Sequence, residues 1–289
     1  MQIHPCASGI NFGNIIGMNI STDQQHEYHA EIHQQNGSHP YLILLHGFMG
    51  SGDAFSHLIP SLQRFCNPVT IDLLGHGASG HAEHQSEFKV ENQIADLDDI
   101  IRHMPFSKCF LYGYSMGGRL ALQYACSHSS HLRGLVLESA TYGIESSTKR
   151  KQRTITDHKR ARAIENNFGY FLQKWSEMPL FNAGGRVPAD RKQRYEDLQR
   201  SQSPRQMALS LRGFGSGVMP SCRNKLPNLQ IPVLLLAGRY DEKYCDIMDE
   251  MHHLLPDAEL HIVPDAGHRI HLEQSEMVAE LLNSFIQQN

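Results

Sequence analysis

The chain has one tryptophan, Trp175, and aromatic residues make up only 8% of its 289 positions. No apolar run approaches the roughly 18–20 residues needed to cross a bilayer, so no membrane span is expected. The first twenty residues, MQIHPCASGINFGNIIGMNI, lack both a basic segment and a sustained apolar one, so no secretory leader is expected. Six cysteines (Cys6, Cys66, Cys109, Cys126, Cys222 and Cys245) lie far apart without a CxxC pair. That spacing argues against a zinc ribbon or a disulfide scaffold and fits free thiols in a reducing compartment, here the cytoplasm. No Lys/Arg-rich run marks a nucleic-acid surface, and 26 basic against 30 acidic side chains leave a net charge of only −4. No metal-ligand cluster and no cofactor fingerprint is evident. What remains is a globular chain with 40% hydrophobic residues, enough for a sizeable core.

Short β-rich apolar runs alternate with helical patterns, the signature of an α/β fold with a mostly parallel central sheet and helices on both faces. Strands are expected at Tyr41–Leu45, Pro68–Leu73, Cys109–Tyr112, Leu135–Leu137, Val233–Leu236 and Leu260–Val263. Two further segments, Asn14–Ile20 and His29–His33, read as antiparallel edge strands. Ile94, Leu97, Ile101 and Met104 recur at helical spacing, as do Met277, Leu281 and Phe285.

The alternation stops after Glu138-Ser139-Ala140 and resumes at Ile231-Pro232-Val233. Between them the chain is polar and helical, with Ile164, Phe168, Phe171, Leu172 and Trp175 forming one apolar stripe. The expected organisation is a core of residues 1–142 and 226–289 with a helical cap at 143–225. Residues 148–225 hold 17 Lys/Arg and 6 Asp/Glu, a net of +11. The rest holds 9 basic and 24 acidic side chains, a net of −15. A cationic lid over an acidic body is what an anionic small-molecule substrate calls for.

The strongest local signal is Gly113-Tyr114-Ser115-Met116-Gly117. It follows an apolar strand and opens a helix containing Leu120, Leu122, Tyr124 and Ala125. A serine on that sharp turn is lifted above the sheet edge, and the flanking glycines leave room for the bend. Serine needs a partner to remove its proton. Asp241, after the strand Val233–Leu236, and His268, after Leu260–Val263, stand at later strand ends and supply an acid and an imidazole in the order Ser, Asp, His. Glu242 and Asp265 are rivals for the acid. An oxyanion would rest on two backbone N–H groups, those of Met116, directly after the serine, and Phe48, after the strand ending at His46-Gly47.

HGFMGSGDAF, DLLGHGASG, GYSMGG, AGRYDEKY and PDAGH, in that order, resemble the α/β-hydrolase fold over essentially everything after residue 40. Within it, GYSMGGRLAL, LVLESA with the later RKQR, WSEMPLF, LQRSQ and SLRGFGSG resemble the 2-succinyl-6-hydroxy-2,4-cyclohexadiene-1-carboxylate synthases of menaquinone biosynthesis. The resemblance implies a cofactor-independent elimination of pyruvate, with Ser115 acting as a base through His268 and Asp241. It also implies substrate contacts from Tyr114, Arg119, Arg153, Trp175 and Arg200, with Arg150 and Arg212 as rivals for the cap arginines. The expected partner is therefore a small multi-carboxylate substrate, with neither nucleic acid nor membrane, bound by a monomer or weak homo-oligomer. A generic ester or C–C hydrolase using Ser115 as nucleophile is the alternative reading. A binding protein that had lost turnover would have no use for a complete Ser–Asp–His set.

Overall fold

A computed structural model describes residues 4–5, 15–182 and 187–289. The strands are β1 (His4–Pro5), β2 (Ile16–Ser21), β3 (Glu27–Ile32), β4 (Tyr41–Leu45), β5 (Asn67–Ile71), β6 (Cys109–Tyr114), β7 (Leu132–Glu138), β8 (Val233–Gly238) and β9 (Ala258–Val263). They form one sheet in the order β1-β2-β3-β5-β4-β6-β7-β8-β9. Pairing is antiparallel from β1 to β5 and parallel from β5 onward. The two edge segments expected from sequence are thus β2 and β3, each ending one residue away from its expected limit, and Asn14 lies outside the described residues.

The helices are α1 (Ile59–Leu62), α2 (Val90–His103), α3 (Met116–His128), α4 (Ser147–Asn166), α5 (Phe168–Ser176), α6 (Pro179–Asn182), α7 (Ala189–Ser201), α8 (Pro204–Phe214), α9 (Glu242–Leu254), α10 (Ile270–Glu273) and α11 (Ser275–Gln288). Side chains alternate between the faces of a strand, and here both faces are apolar. Ile43 and Leu45 of β4 join Leu111, Leu135 and Leu235 against α2, α3 and α9. Leu42 and Leu44 join Phe110, Val136 and Leu234 against α1 and α11. In α11 the buried row is Val278, Ala279, Leu282, Phe285 and Ile286, while Met277 and Leu281 are only partly covered. Of the expected row Met277, Leu281 and Phe285, only Phe285 is fully buried, and the buried stripe is centred on Val278, Leu282 and Phe285.

Between β7 and β8 the chain runs through α4 to α8. The expected apolar stripe is real but divided. Ile164 belongs to α4 and the others to α5, because Asn167 ends the first helix and its side chain accepts the Tyr170 N–H of the second. Ile164 and Phe171 pack with Met207, Ala208 and Leu211 of α8 and with Met49 of the loop after β4. That cluster fastens these helices over the carboxyl ends of the strands.

Two buried histidines hold that end of the sheet in shape. His46 Nε2 accepts the Leu73 N–H at 3.0 Å while its Nδ1–H donates to the Gly47 carbonyl at 2.8 Å. His76 donates from Nδ1 to the Leu74 carbonyl at 2.9 Å. Both are neutral: burial pushes His46 down to about 4, and burial with the neighbouring His46 pushes His76 down to about 3. Unfolded histidine titrates near 6.5, so acidification protonates the unfolded chain before the native one. Stability is fully retained above about pH 6.5 and falls as pH drops toward those lower values. Each histidine should cost about 2 kcal/mol between pH 7 and pH 5, read from urea unfolding. His76→Gln keeps an N–H donor but cannot titrate, so it should remove its own share, about 2 kcal/mol, of the loss between pH 7 and pH 5. An unchanged slope would contradict the assignment.

Candidate active site

Ser115 sits between the end of β6 and the first residue of α3 with φ 51° and ψ −101°, a backbone conformation that L-residues rarely adopt. The turn is this tight because α3 lies directly against the strand ends. A Cβ on Gly117 would meet the Leu45 carbonyl oxygen at 2.3 Å, and one on Gly113 would meet Gly118 Cα at 2.5 Å. The Ser115 N–H is tied to the Glu138 carbonyl of β7 at 2.8 Å. Strain of this kind is on the order of 1–3 kcal/mol. Ser115→Gly should therefore be more stable than Ser115→Ala by about 1 kcal/mol in urea unfolding. Equal or reversed stabilities would show that the turn stores no strain.

The three sequence-selected residues converge. Ser115 Oγ lies 3.0 Å from His268 Nε2, and His268 Nδ1 lies 2.6 Å from Asp241 Oδ2. His268 is 2% and Asp241 6% exposed, so water does not compete for the contact between them. The carboxylate fixes the tautomer with its proton on Nδ1, leaving Nε2 to accept from the serine hydroxyl. Of the rival acids, Glu242 is exposed and Asp265 accepts from the Tyr240 hydroxyl at 3.0 Å. Among the described residues, no protein acceptor takes the N–H of Met116 or of Phe48. Met116 is the first residue of α3, where the N–H has no partner within the helix. Phe48 precedes Met49, whose φ of 61° turns the loop back over the strand end.

A cavity of about 270 Å³ opens above Ser115 and His268. Phe48, Trp175, Met178, Phe181, Leu211 and Phe214 supply its apolar wall, and Arg119, Arg153, Arg160 and Lys243 its charge. Arg119 is 9% exposed and donates to the Phe214 carbonyl at 2.8 Å, with its guanidinium 4.7 Å from the Phe214 ring centre. Burial lowers it to about 10, which leaves it charged at neutral pH, and no carboxylate pairs with it among the described residues. Arg153 forks onto Asp157 at 2.8 and 3.0 Å, and Arg160 approaches the same carboxylate at 3.5 Å. Arg160 also lies over the Trp175 ring at 5.4 Å, and Trp175 meets Phe48 edge-on at 5.8 Å.

Two sequence-selected residues are placed elsewhere. Tyr114 is buried behind His268 rather than in the cavity wall. Its ring packs 5.6 Å from His268 and 4.6 Å from His271, in space that Gly47 leaves open. Arg200 is a correction. It points along the exposed face of α7, held by Asp197 at 2.6 Å and Glu196 at 3.0 Å, because those acids sit three and four residues before it on the helix. Arg212 is likewise engaged outside the cavity, by Glu165.

Arg160 and Lys243 were not singled out from the sequence. Arg153, Asp157 and Arg160 follow an i, i+4, i+7 spacing that places them on one helix face, a signal that could have found Arg160. A buried pair also went unread: Glu138 accepts from His271 Nδ1 at 2.8 Å, and the Tyr112 hydroxyl donates to the same carboxylate. It forms the floor on which Tyr114 rests. A larger cavity, about 660 Å³, lies between α7 and His57 and contains none of the three converging residues. Convergence of the serine, the imidazole and the cations, not size, marks the site.

Residues 40–275 match the α/β hydrolase fold family. A Bacillus subtilis protein, named provisionally as a 2-succinyl-6-hydroxy-2,4-cyclohexadiene-1-carboxylate synthase, is 34% identical over 246 residues, covering 85% of this chain and 89% of its own length. A synthase of the same name from Enterobacter sp. is 28% identical over 84% of this chain and 90% of its own. The structure of MenH from S. aureus superposes with a TM-score of 0.86 at 30% identity, covering 90% of this chain and 98% of that one. An esterase from Exiguobacterium antarcticum, at 19% identity and a TM-score of 0.78, shares the fold alone. The chain belongs to the α/β-hydrolase fold family and, within it, to the 2-succinyl-6-hydroxy-2,4-cyclohexadiene-1-carboxylate synthases.

Proposed function

We propose that this protein is a carbon–oxygen lyase of menaquinone biosynthesis that eliminates pyruvate from 2-succinyl-5-enolpyruvyl-6-hydroxy-3-cyclohexene-1-carboxylate. The observation that carries this reading is the charge of the cavity over Ser115. Four cations line it, and Asp157, behind Arg153 and Arg160, neutralises one of them. Three positive charges remain for a substrate with three carboxylates. A neutral ester would leave Arg119 buried without an anion, at a cost of several kcal/mol, so ester hydrolysis is the weaker reading.

The chemistry follows from the geometry. His268 takes the Ser115 proton, and the serine oxygen takes the proton from the ring carbon beside the succinyl ketone. The electron pair released forms a double bond to the next ring carbon, the existing ring double bond shifts, and the bond to the enolpyruvyl oxygen breaks. The ring becomes the 2,4-diene, and the departing enolate collects a proton to become pyruvate. The developing ketone enolate rests on the N–H groups of Phe48 and Met116. The negative charge of Asp241 stabilises the imidazolium formed on His268. No bond forms between Ser115 and carbon, so no water is needed to release an acyl group. The five described cysteines are free thiols, and none of the described helices is long and apolar enough to cross a membrane. Both facts support placing the reaction in the cytoplasm.

The deciding assay offers the enolpyruvyl precursor and a p-nitrophenyl ester side by side, with pyruvate release followed by a coupled dehydrogenase. Pyruvate release with negligible ester cleavage is expected; the reverse would establish the hydrolase. Ser115→Ala and His268→Ala should each lower pyruvate release by roughly 10³-fold or more with the fold retained. Residual activity near wild type would remove these residues from the mechanism. Arg119→Gln should cut kcat/KM by at least about tenfold, whereas Arg200→Gln should leave it unchanged. Equal losses in the two variants would contradict the placement of Arg200.

A further inference from the structure

A second cavity, about 540 Å³, adjoins the catalytic one. Arg153, Ser216, Lys243 and Tyr244 line both, so the two spaces meet at a partition carrying two cations. Lys149 adds a third on the outer side. Glu145 is the one carboxylate lining this space among the described residues, and Arg223 already engages it at 3.4 Å.

Both lysines stand at helix starts. Lys149, exposed at the outer rim, lies in the first turn of α4, which has no acidic residue there; Lys243 lies in the first turn of α9 beside Glu242, with its ammonium 5.1 Å from the Tyr244 ring centre. The positive end of a helix dipole repels a cation in its first turn. Burial, and then the charge of Arg153, holds the Lys243 ammonium below its ordinary range, and Arg160 adds to the effect. Asp241 opposes this, but its Oδ2 is committed to His268. Among the described residues neither lysine has a carboxylate within ion-pair distance. An anion in the space between Arg153, Lys243 and Lys149 would offset their mutual repulsion.

We infer that the outer cavity is a second carboxylate subsite, in which Lys149, Arg153 and Lys243 receive the enolpyruvyl carboxylate and through which pyruvate departs. This rests on the elimination proposed above. In the substrate the enolpyruvyl oxygen is on the ring carbon opposite the one that loses its proton. When that carbon is over Ser115, the leaving group is directed away from the triad. The cationic partition is the way out for an anion. After the carbon–oxygen bond breaks, the same cations hold the pyruvate carboxylate.

The test uses Lys149→Gln and Lys243→Gln in the full-length enzyme, with Lys→Arg as rescue. Each Gln variant should raise KM for the precursor about tenfold, the size of one lost charge-assisted hydrogen bond. Each should also weaken product inhibition by pyruvate in parallel, and arginine should restore both. A fall in kcat alone, with KM and pyruvate inhibition unchanged, would overturn the subsite and leave Lys243 acting on Asp241. If the wild-type protein releases no pyruvate, the elimination itself fails, and the subsite is judged on binding alone. Citrate, a tricarboxylate, is then titrated against the fluorescence of Trp175, the chain's single tryptophan and part of the catalytic cavity wall. About tenfold weaker citrate binding in both Gln variants sustains an anion subsite; binding equal to wild type overturns it.

Discussion

The close approach of α3 to the carboxyl ends of β4 and β6 is the constraint on which the site depends. Gly113, Gly117 and Gly118 let the helix start within van der Waals reach of the Leu45 and His46 carbonyls, and no larger residue fits at Gly117. That contact forces Ser115 into its strained turn and lifts its hydroxyl toward His268. It also places the first N–H of α3 beside the loop of Phe48. One packing arrangement therefore sets together the Ser115 hydroxyl and the N–H groups proposed to hold the enolate.

The second organising feature is charge without compensation. A stability-driven design would pair Arg119 or Lys243 with a carboxylate, or replace them by apolar side chains. Here Arg119 is buried against a carbonyl and an aromatic ring, and one aspartate serves two arginines. Of the four cations over Ser115, Arg153 and Arg160 come from α4 above the strand ends, while Arg119 stands one turn beyond Ser115 on α3 and Lys243 two residues beyond Asp241. The cationic wall is thus shared between α4 and the same segments that carry Ser115 and Asp241.

Much of this was legible in the sequence because the signals were local. A strand running into Gly-Tyr-Ser-Met-Gly identifies its own turn, and the loops that follow β8 and β9 deliver Asp241 and His268 to the same sheet edge. The sheet's parallel half was readable from apolar runs buried on both faces. Arg200 misled because its local motif says nothing about which way α7 turns. Its fate was decided by Glu196 and Asp197 on the same helix face. Lys243 and the Glu138–His271 pair were missed because their meaning lies in contacts between distant segments. Residues 138 and 271 are brought together only by the completed sheet and the turn into α10.

In the proposed elimination Ser115 works as a base and never as a carbon nucleophile. Intact-protein mass spectrometry on samples quenched during turnover of the enolpyruvyl precursor tests it directly. The mass of unmodified enzyme is expected at every time point while pyruvate accumulates. A transient adduct of substrate mass that maps to Ser115 would contradict it and return the protein to acyl-transfer chemistry.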